Sequence, residues 1–244
     1  MFALQTFRDG IPALIDGTIE TLRLFALSLL FGGLIALPVA LARNSAENWV
    51  RRFAHGFIFV FRGAPLLVLL YLIYYGLPQF SLVRHSALWF LFSQPYFCAV
   101  LALSLNSAGY VAEIWAGAMR ATPRGEIEAA RVAGLTRFQV FFAVIVPHTA
   151  RIALRSYSNE VVFLVKGTSA ASLVTVIDIM GAANSIYFNT YDPFTPLLSA
   201  GLIYLALVFL LTSLVAWVER QLSPELRTAH RLKRTSLREP QAGV

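Results

Sequence analysis

The sequence predicts an all-helical membrane protein with about five transmembrane helices, and three observations predict it. Hydrophobic residues make up 57% of the 244-residue chain and charged residues only 14%, where soluble domains carry about a quarter charged; the mean hydropathy is +0.66. Apolar runs long enough to cross about 30 Å of hydrocarbon at 1.5 Å rise per residue recur along the chain. Basic residues collect in the polar intervals between alternate runs, as loop charges of a multi-pass protein do.

Residues 1–17 contain Asp9, Gly10, Pro12 and Asp16 and lack a basic region leading into an apolar core. They read as an N-terminal segment on the outer, periplasmic side and not as a cleavable signal. Thr18–Ala42 is the first expected span, and its Gly32, Gly33 and Pro38 are residues that membrane helices tolerate at close contacts or kinks. The further expected spans are Phe57–Phe80, Tyr96–Ala118, Val161–Gly181 and Thr195–Val218. The membrane domain thus covers residues 18–220, includes a polar hairpin over 120–150, and is followed by a basic tail over 221–244.

Orientation follows from the arginines. Arg43, Arg51 and Arg52 follow the first span; Arg120, Arg124, Arg131, Arg137, Arg151 and Arg155 follow the third; Arg220, Arg227, Arg231, Lys233, Arg234 and Arg238 follow the last. The opposite side offers Arg8, Arg84 and His85 against Asp9, Asp16, Asp178 and Asp192. Positive charge favours the cytoplasm, so the C-terminus is expected inside and, with an odd number of spans, the N-terminus outside. The net charge of +7 therefore belongs to membrane topology. There is no basic stripe with interleaved aromatics to read as a nucleic-acid surface, and the tail's charges suit anionic lipid.

Cys98 is the chain's one cysteine and lies in an apolar run, which leaves no disulfide framework. His55, His85, His148 and His230 are far apart, so no metal site is expected. No phosphate-binding GxxxxGK[ST] loop occurs, so any ATP and Mg would be held by a partner; the chain is read as a transport subunit, without a cofactor of its own, rather than an enzyme. The absence of an internal repeat weakens a secondary transporter built from paired halves.

The interval after the third span is the longest polar one. Thr122-Pro123 reads as a helix start, Glu126 to Ala133 as a short helix with acids early and Arg131 late, and Gly134 as its stop. A second helix is expected from Thr136, apolar along Phe138, Val140, Phe141, Val144 and Ile145, and ending at Pro147. From the residues alone, a docking element and an amphipathic hairpin lying on the membrane are both open.

Glu128-Ala129-Ala130, three residues, Gly134, nine residues, then Val144-Ile145-Val146-Pro147 resembles the EAA motif of bacterial ABC importer permeases, with valines at the family's Ile and Leu positions. The resemblance implies a coupling hairpin that docks on an ATP-binding subunit through Glu128, Ala129, Ala130, Gly134 and Pro147. Phe61-Arg62-Gly63-Ala64-Pro65-Leu66, the run from Leu103 to Tyr110 with Glu113-Ile114 and Gly117 to Arg120, and Arg151 through Val161 are similar to the polar amino acid (HisM/HisQ-like) permeases and their opine-transport relatives. That likeness spans about Phe57 to Pro196.

It implies a type I ABC importer permease fold in the bacterial inner membrane. The implied partners are a cytoplasmic ATPase dimer, a periplasmic solute-binding protein and a second, related permease. The implied cargo is a polar, cationic amino acid of the histidine/lysine/arginine/ornithine type or an opine, with another polar amino acid such as glutamine as the alternative. A different class, an ion-coupled secondary transporter, would need neither an ATPase nor a docking hairpin.

Ionisable groups in or near spans mark a path or a pairing. Arg62, Glu113, Arg120 and Glu160 are read as structural or interface charges, with Arg120 or an arginine of the sister subunit a partner for Glu113 and Arg151 or Arg155 a partner for Glu160. The family's KDTSL segment appears as Lys166-Gly167-Thr168-Ser169-Ala170, with glycine at the aspartate position. By resemblance, Lys166, Gly167, Thr168 and Ser169 line the substrate passage with Asn106 and Tyr110 of the third span; interhelical hydrogen bonding is the alternative for the polar ones. The missing carboxylate implies that an unlike sister subunit or the binding protein supplies that charge, or else that the substrate differs.

Overall fold

A computed structural model describes residues 2–222. Helix α1 (Phe2–Arg43) is unbroken, with Pro12 and Pro38 inside it. The expected boundary between an N-terminal segment and a first span at residue 17 is therefore not a structural one. The small residues that obscured it in sequence are packing positions: a Cβ on Gly17 would lie 2.7 Å from the Asp178 carbonyl oxygen, so only glycine lets α1 approach that far.

After a short turn comes α2 (Asn48–Gly63), then α3 (Leu66–Tyr71), which runs through a wide π turn, Leu72–Gly76, and a tight turn, Leu77–Gln79. The expected span Phe57–Phe80 is thus two rods meeting at 101°. Proline at 65 forces Ala64 out of the helical region, to φ −75° and ψ 134°. Two single-turn helices, α4 (Ser81–Arg84) and α5 (Trp89–Phe92), lead to α6 (Pro95–Arg120).

Helix α6 is the axis of the bundle. It packs against α1, α2 and α3 and against the later helix α9 (Val146–Gly167). Of its most apolar stretch 61% is buried, against none for α11 (Phe194–Leu222), whose apolar surface is left uncovered within this chain. Alanines at 99, 102, 108, 112 and 116 are fully buried, which lets neighbouring backbones come close.

Between α6 and α9 stand α7 (Arg124–Val132) and α8 (Arg137–Val140), and α8 continues without interruption through a π turn, Phe141–Ile145, into α9. Pro147 therefore does not end the second hairpin helix. Its missing N–H and its ring conflict with a regular α turn, and the widened turn just before it absorbs both. The expected span Val161–Gly181 is likewise not one helix. α9 gives way to a tight turn, Thr168–Val174, then Thr175 in the left-handed region at φ 67°, and α10 (Ile179–Thr190) departs at 45°.

Asp178, read in sequence as an outward loop charge, is fully buried at this break. Its Oδ1 accepts from the Gly181 N–H at 2.8 Å and caps α10, and its Oδ2 accepts from the Tyr204 hydroxyl at 2.9 Å. The Ile179 N–H donates to Thr21 Oγ1 at 3.1 Å. The knot joins α1, α10 and α11 where the fourth span breaks. Counting each bent pair as one span gives five, and three helices qualify unaided. The tail charges beyond Leu222, and His230, lie outside the described residues.

Candidate functional site

The hairpin is built from local signals. Helix α7 ends in a Schellman motif: the Leu135 N–H donates to the Ala130 carbonyl at 3.1 Å and the Gly134 N–H to the Arg131 carbonyl at 3.0 Å. The motif needs a left-handed residue, and Gly134 has φ +84°. Thr136 then opens α8 with a capping box, Gln139 Oε1 accepting from the Thr136 N–H at 2.8 Å and Thr136 Oγ1 from the Gln139 N–H at 3.3 Å.

The expected cap at the start of α7 differs. The residue at that position is Pro123, with no side-chain cap bond, and the hydroxyl of Thr122 is buried without a partner. Glu126 is held back toward the bundle, its Oε2 lying 3.8 Å from His148 Nδ1. The outer surface carries Glu128, Ala129, Gly134 and Pro147, with Ala130 partly covered. Beside them Val132 is 90% exposed and Phe138 72%. The hairpin thus shows exposed apolar surface beside its polar residues.

The hairpin is clamped at its root. Glu113 accepts from Arg120 at 3.1 Å and lies 3.5 Å from Arg43 Nε, Arg120 also donates to Asn44 Oδ1 at 3.1 Å, and Asn44 donates to the Ala116 carbonyl at 3.1 Å. These contacts tie the end of α1 to the end of α6.

The second feature is a cavity of about 510 Å³ at the α2–α3 break, among α6 and α9. It brings together Arg62, Asn106, Tyr110, Glu160, Lys166 and Gly167. Asn106 Nδ2 donates to the Phe61 carbonyl at 2.9 Å and the Tyr110 hydroxyl to the Arg62 carbonyl at 3.2 Å. Both satisfy carbonyls that the end of α2 leaves without helical partners. The Arg62 guanidinium stands 5.3 Å from the Tyr110 ring centre, a cation–π distance.

Two expected passage residues are elsewhere. Thr168 is fully buried and donates to the Val165 carbonyl at 2.7 Å, and Ser169 donates to the Lys166 carbonyl at 2.8 Å; neither lines the cavity. Both hydroxyls satisfy the tight turn that ends α9. Glu160 pairs with neither expected arginine, because Arg155 turns to Glu219 at 3.6 Å. Only 5% exposed, it faces the cavity instead, as its sole described carboxylate opposite Arg62 and Lys166. Ala64, Pro65, Leu66 and Phe163 are among the other residues of the wall. The signal that would have found them is the Gly63-Ala64-Pro65 helix break, which in sequence served only as a mark of family likeness.

Comparisons with known proteins agree with this architecture. Residues 28–224 match the family described as binding-protein-dependent transport system inner membrane component. The octopine transport system permease protein OccM of Rhizobium meliloti is 44% identical over 95% of this chain and 93% of its own. The nopaline permease NocM of Agrobacterium fabrum is 40% identical over 92% and 93%. The histidine/lysine/arginine/ornithine permease HisM of Salmonella typhimurium is 39% identical over 84% and 88%. Among solved structures, an amino acid ABC transporter crystallised with histidines superposes with a TM-score of 0.77 at 32% identity, covering 86% of this chain and 94% of that one.

Proposed function

The chain belongs to the binding-protein-dependent transport system inner membrane components, the multi-pass inner-membrane permease subunits of ABC importers, and from that premise we propose that it carries a cationic amino acid or opine through the cavity at the α2–α3 break. Family membership brings with it a solute-binding protein and an ATPase as partners. The N-terminus faces the periplasm and the C-terminus the cytoplasm. The α7–α8 hairpin docks on the ATPase through Glu128, Ala129, Ala130 and Gly134, and its continuous run into α9 gives a mechanical route from ATP-driven closure to Glu160 and Lys166.

The observation that carries the substrate reading is the sign pattern of the cavity. One largely buried carboxylate, Glu160, faces two cations, Arg62 and Lys166. An amino acid with a cationic side chain presents the complementary set: a carboxylate for the cations, and an ammonium or guanidinium for Glu160 by charge-assisted hydrogen bonding. Glu160 thereby supplies the charge that the family's aspartate would place at Gly167. The names of the relatives, which specify octopine, nopaline and histidine/lysine/arginine/ornithine, support the same class. The related permease needed to close the path on its other side is an unlike sister.

The test is uptake into proteoliposomes holding the importer with its ATPase, sister permease and binding protein. A hydrogen bond to a charged group contributes about 1.5–3 kcal/mol. Glu160→Gln is therefore expected to lower arginine or octopine uptake by about 10- to 150-fold while leaving ATP hydrolysis measurable. Undiminished uptake would overturn the assignment of the cavity, and uptake that persists without ATP would overturn the importer reading itself.

A further inference from the structure

Two concavities meet on the hairpin side of the bundle, away from the cavity assigned to substrate. One is an apolar groove of about 540 Å³ between the ends of α1 and α6 and the start of α9, lined by Leu37, Trp115, Met119, Phe142 and Leu154 among others. The other is a hollow of about 700 Å³ bearing Arg43, Asn44, Ser45, Arg51 and Arg120. They share Leu41, Met119 and Phe141, so they form one feature, apolar along its length and cationic at its mouth. Each part has the size of an ordinary ligand pocket.

The charges do not cancel. Arg43 and Arg120 share the single carboxylate of Glu113. Arg51 faces only the Ser45 carbonyl, at 3.4 Å, and the Asn48 side chain. No carboxylate lines the hollow among the described residues. One buried polar atom along the feature, Thr149 Oγ1 in the groove, lacks a hydrogen-bond partner, and Arg43 Nε in the hollow comes no closer than 3.5 Å to the Glu113 carboxylate. An apolar slot that opens beside three guanidiniums with one carboxylate among them is complementary to one kind of molecule in a bilayer, a lipid with an anionic headgroup.

We propose that this feature binds one anionic phospholipid from the leaflet on the hairpin side. Its acyl chain lies in the groove between α6 and α9, and its phosphate meets Arg51 with Arg43 and Arg120. Phe141, Phe142 and Val146 belong to the segment that joins the hairpin to α9, so the lipid braces the root of that segment.

Trp115 lines the groove and serves as a native reporter. The assembled importer is placed in vesicles of phosphatidylcholine with a rising fraction of phosphatidylglycerol, one of the two brominated along its acyl chains. Quenching at Trp115 is obtained by subtracting the signal of the Trp115→Phe complex. Each basic residue near a membrane surface contributes about 1 kcal/mol toward anionic lipid, or about fivefold. Brominated phosphatidylglycerol should therefore quench Trp115 at a mole fraction at least about fivefold lower than brominated phosphatidylcholine. Arg51→Gln, an exposed change, should reduce that preference by about fivefold.

Equal quenching by the two lipids would overturn the proposal in favour of ordinary bulk lipid. Absence of quenching by either would overturn it in favour of protein covering the groove. Native mass spectrometry gives an independent reading: one phosphatidylglycerol retained by the wild-type complex and lost from Arg51→Gln supports the site, and equal retention by both refutes it.

Discussion

Replacing Gly134 tests whether the hairpin's shape, rather than its bulk, transmits force. A Cβ at 134 would meet nothing within 4 Å, so substitution creates no steric conflict within the chain. The cost is conformational. Gly134 sits at φ +84°, and a left-handed conformation costs an ordinary residue about 1–2 kcal/mol, with a β-branched one at the top of that range. That penalty lowers the population of the native turn about 5- to 30-fold relative to its competitors. Asparagine tolerates the same region and should be nearly neutral.

The measurement is amino acid uptake per ATP hydrolysed in proteoliposomes. Gly134→Val is expected to lose about 5- to 30-fold in that ratio, and Gly134→Asn to retain most of it, with both chains inserted in the membrane at wild-type levels. Equal coupling in the two variants would refute the conformational argument. An unchanged Gly134→Val would remove the hairpin from the coupling path altogether.

Two further outcomes follow from capped helix starts. Asp178→Ala uncaps α10 and removes the hydrogen bond that Asp178 accepts from Tyr204; the lost hydrogen bond costs about 0.5–1.5 kcal/mol and the lost cap about 1 more. Thermal unfolding in detergent should show the loss, and Asp178→Asn, which retains an acceptor, should lose less; equal loss from the two would sink the argument. Asp192 is exposed at the start of α11, where its Oδ1 accepts from the Phe194 N–H at 3.1 Å and the Thr195 N–H at 3.3 Å. The Thr195 side-chain hydrogen bond, helped by these backbone N–H groups, holds its carboxyl below the ordinary aspartate range. Because the folded-state value is the lower one, its stabilisation is complete above the ordinary aspartate range and is lost as pH falls through the depressed value. The melting difference between wild type and Asp192→Ala should therefore be constant from neutral pH down to about pH 5 and shrink below about pH 4; a difference that grows on acidification would contradict it.

What the sequence showed, it showed through signals that act locally. Hydropathy located the five apolar stretches, because crossing a bilayer imposes a length on each. The spacing from Glu128 to Pro147 located the hairpin, and its glycine turn and the Thr136 start have the geometry those residues favour on their own. Pro147 misled because a proline's local stop signal can be absorbed by a π turn one step earlier, which no residue in the segment announces. Asp178 misled because two of the polar contacts at the break come from distant segments, Thr21 and Tyr204, so a residue that reads as loop charge is a buried tie.

The cavity shows the same limit more sharply. Arg62, Asn106 and Lys166 lie on three separate helices, and they converge only because the Ala64-Pro65 bend of 101° turns the end of α2 into the bundle. Gly167 looked like a deficit when weighed by itself. In the fold, a Cβ there would stand 2.9 Å from Leu66 Cδ2, the end of a flexible side chain that has to shift to admit it. A side chain at 167 would meet only the ends of Leu66 and Leu103, whereas Glu160 already reaches the same cavity from two turns earlier on α9. On the proposed reading the negative charge was moved rather than lost. Gly167→Asp should then restore only part of the uptake lost in Glu160→Gln, because its carboxylate enters from a different turn of α9; full rescue by Gly167→Asp would show that the two positions are interchangeable.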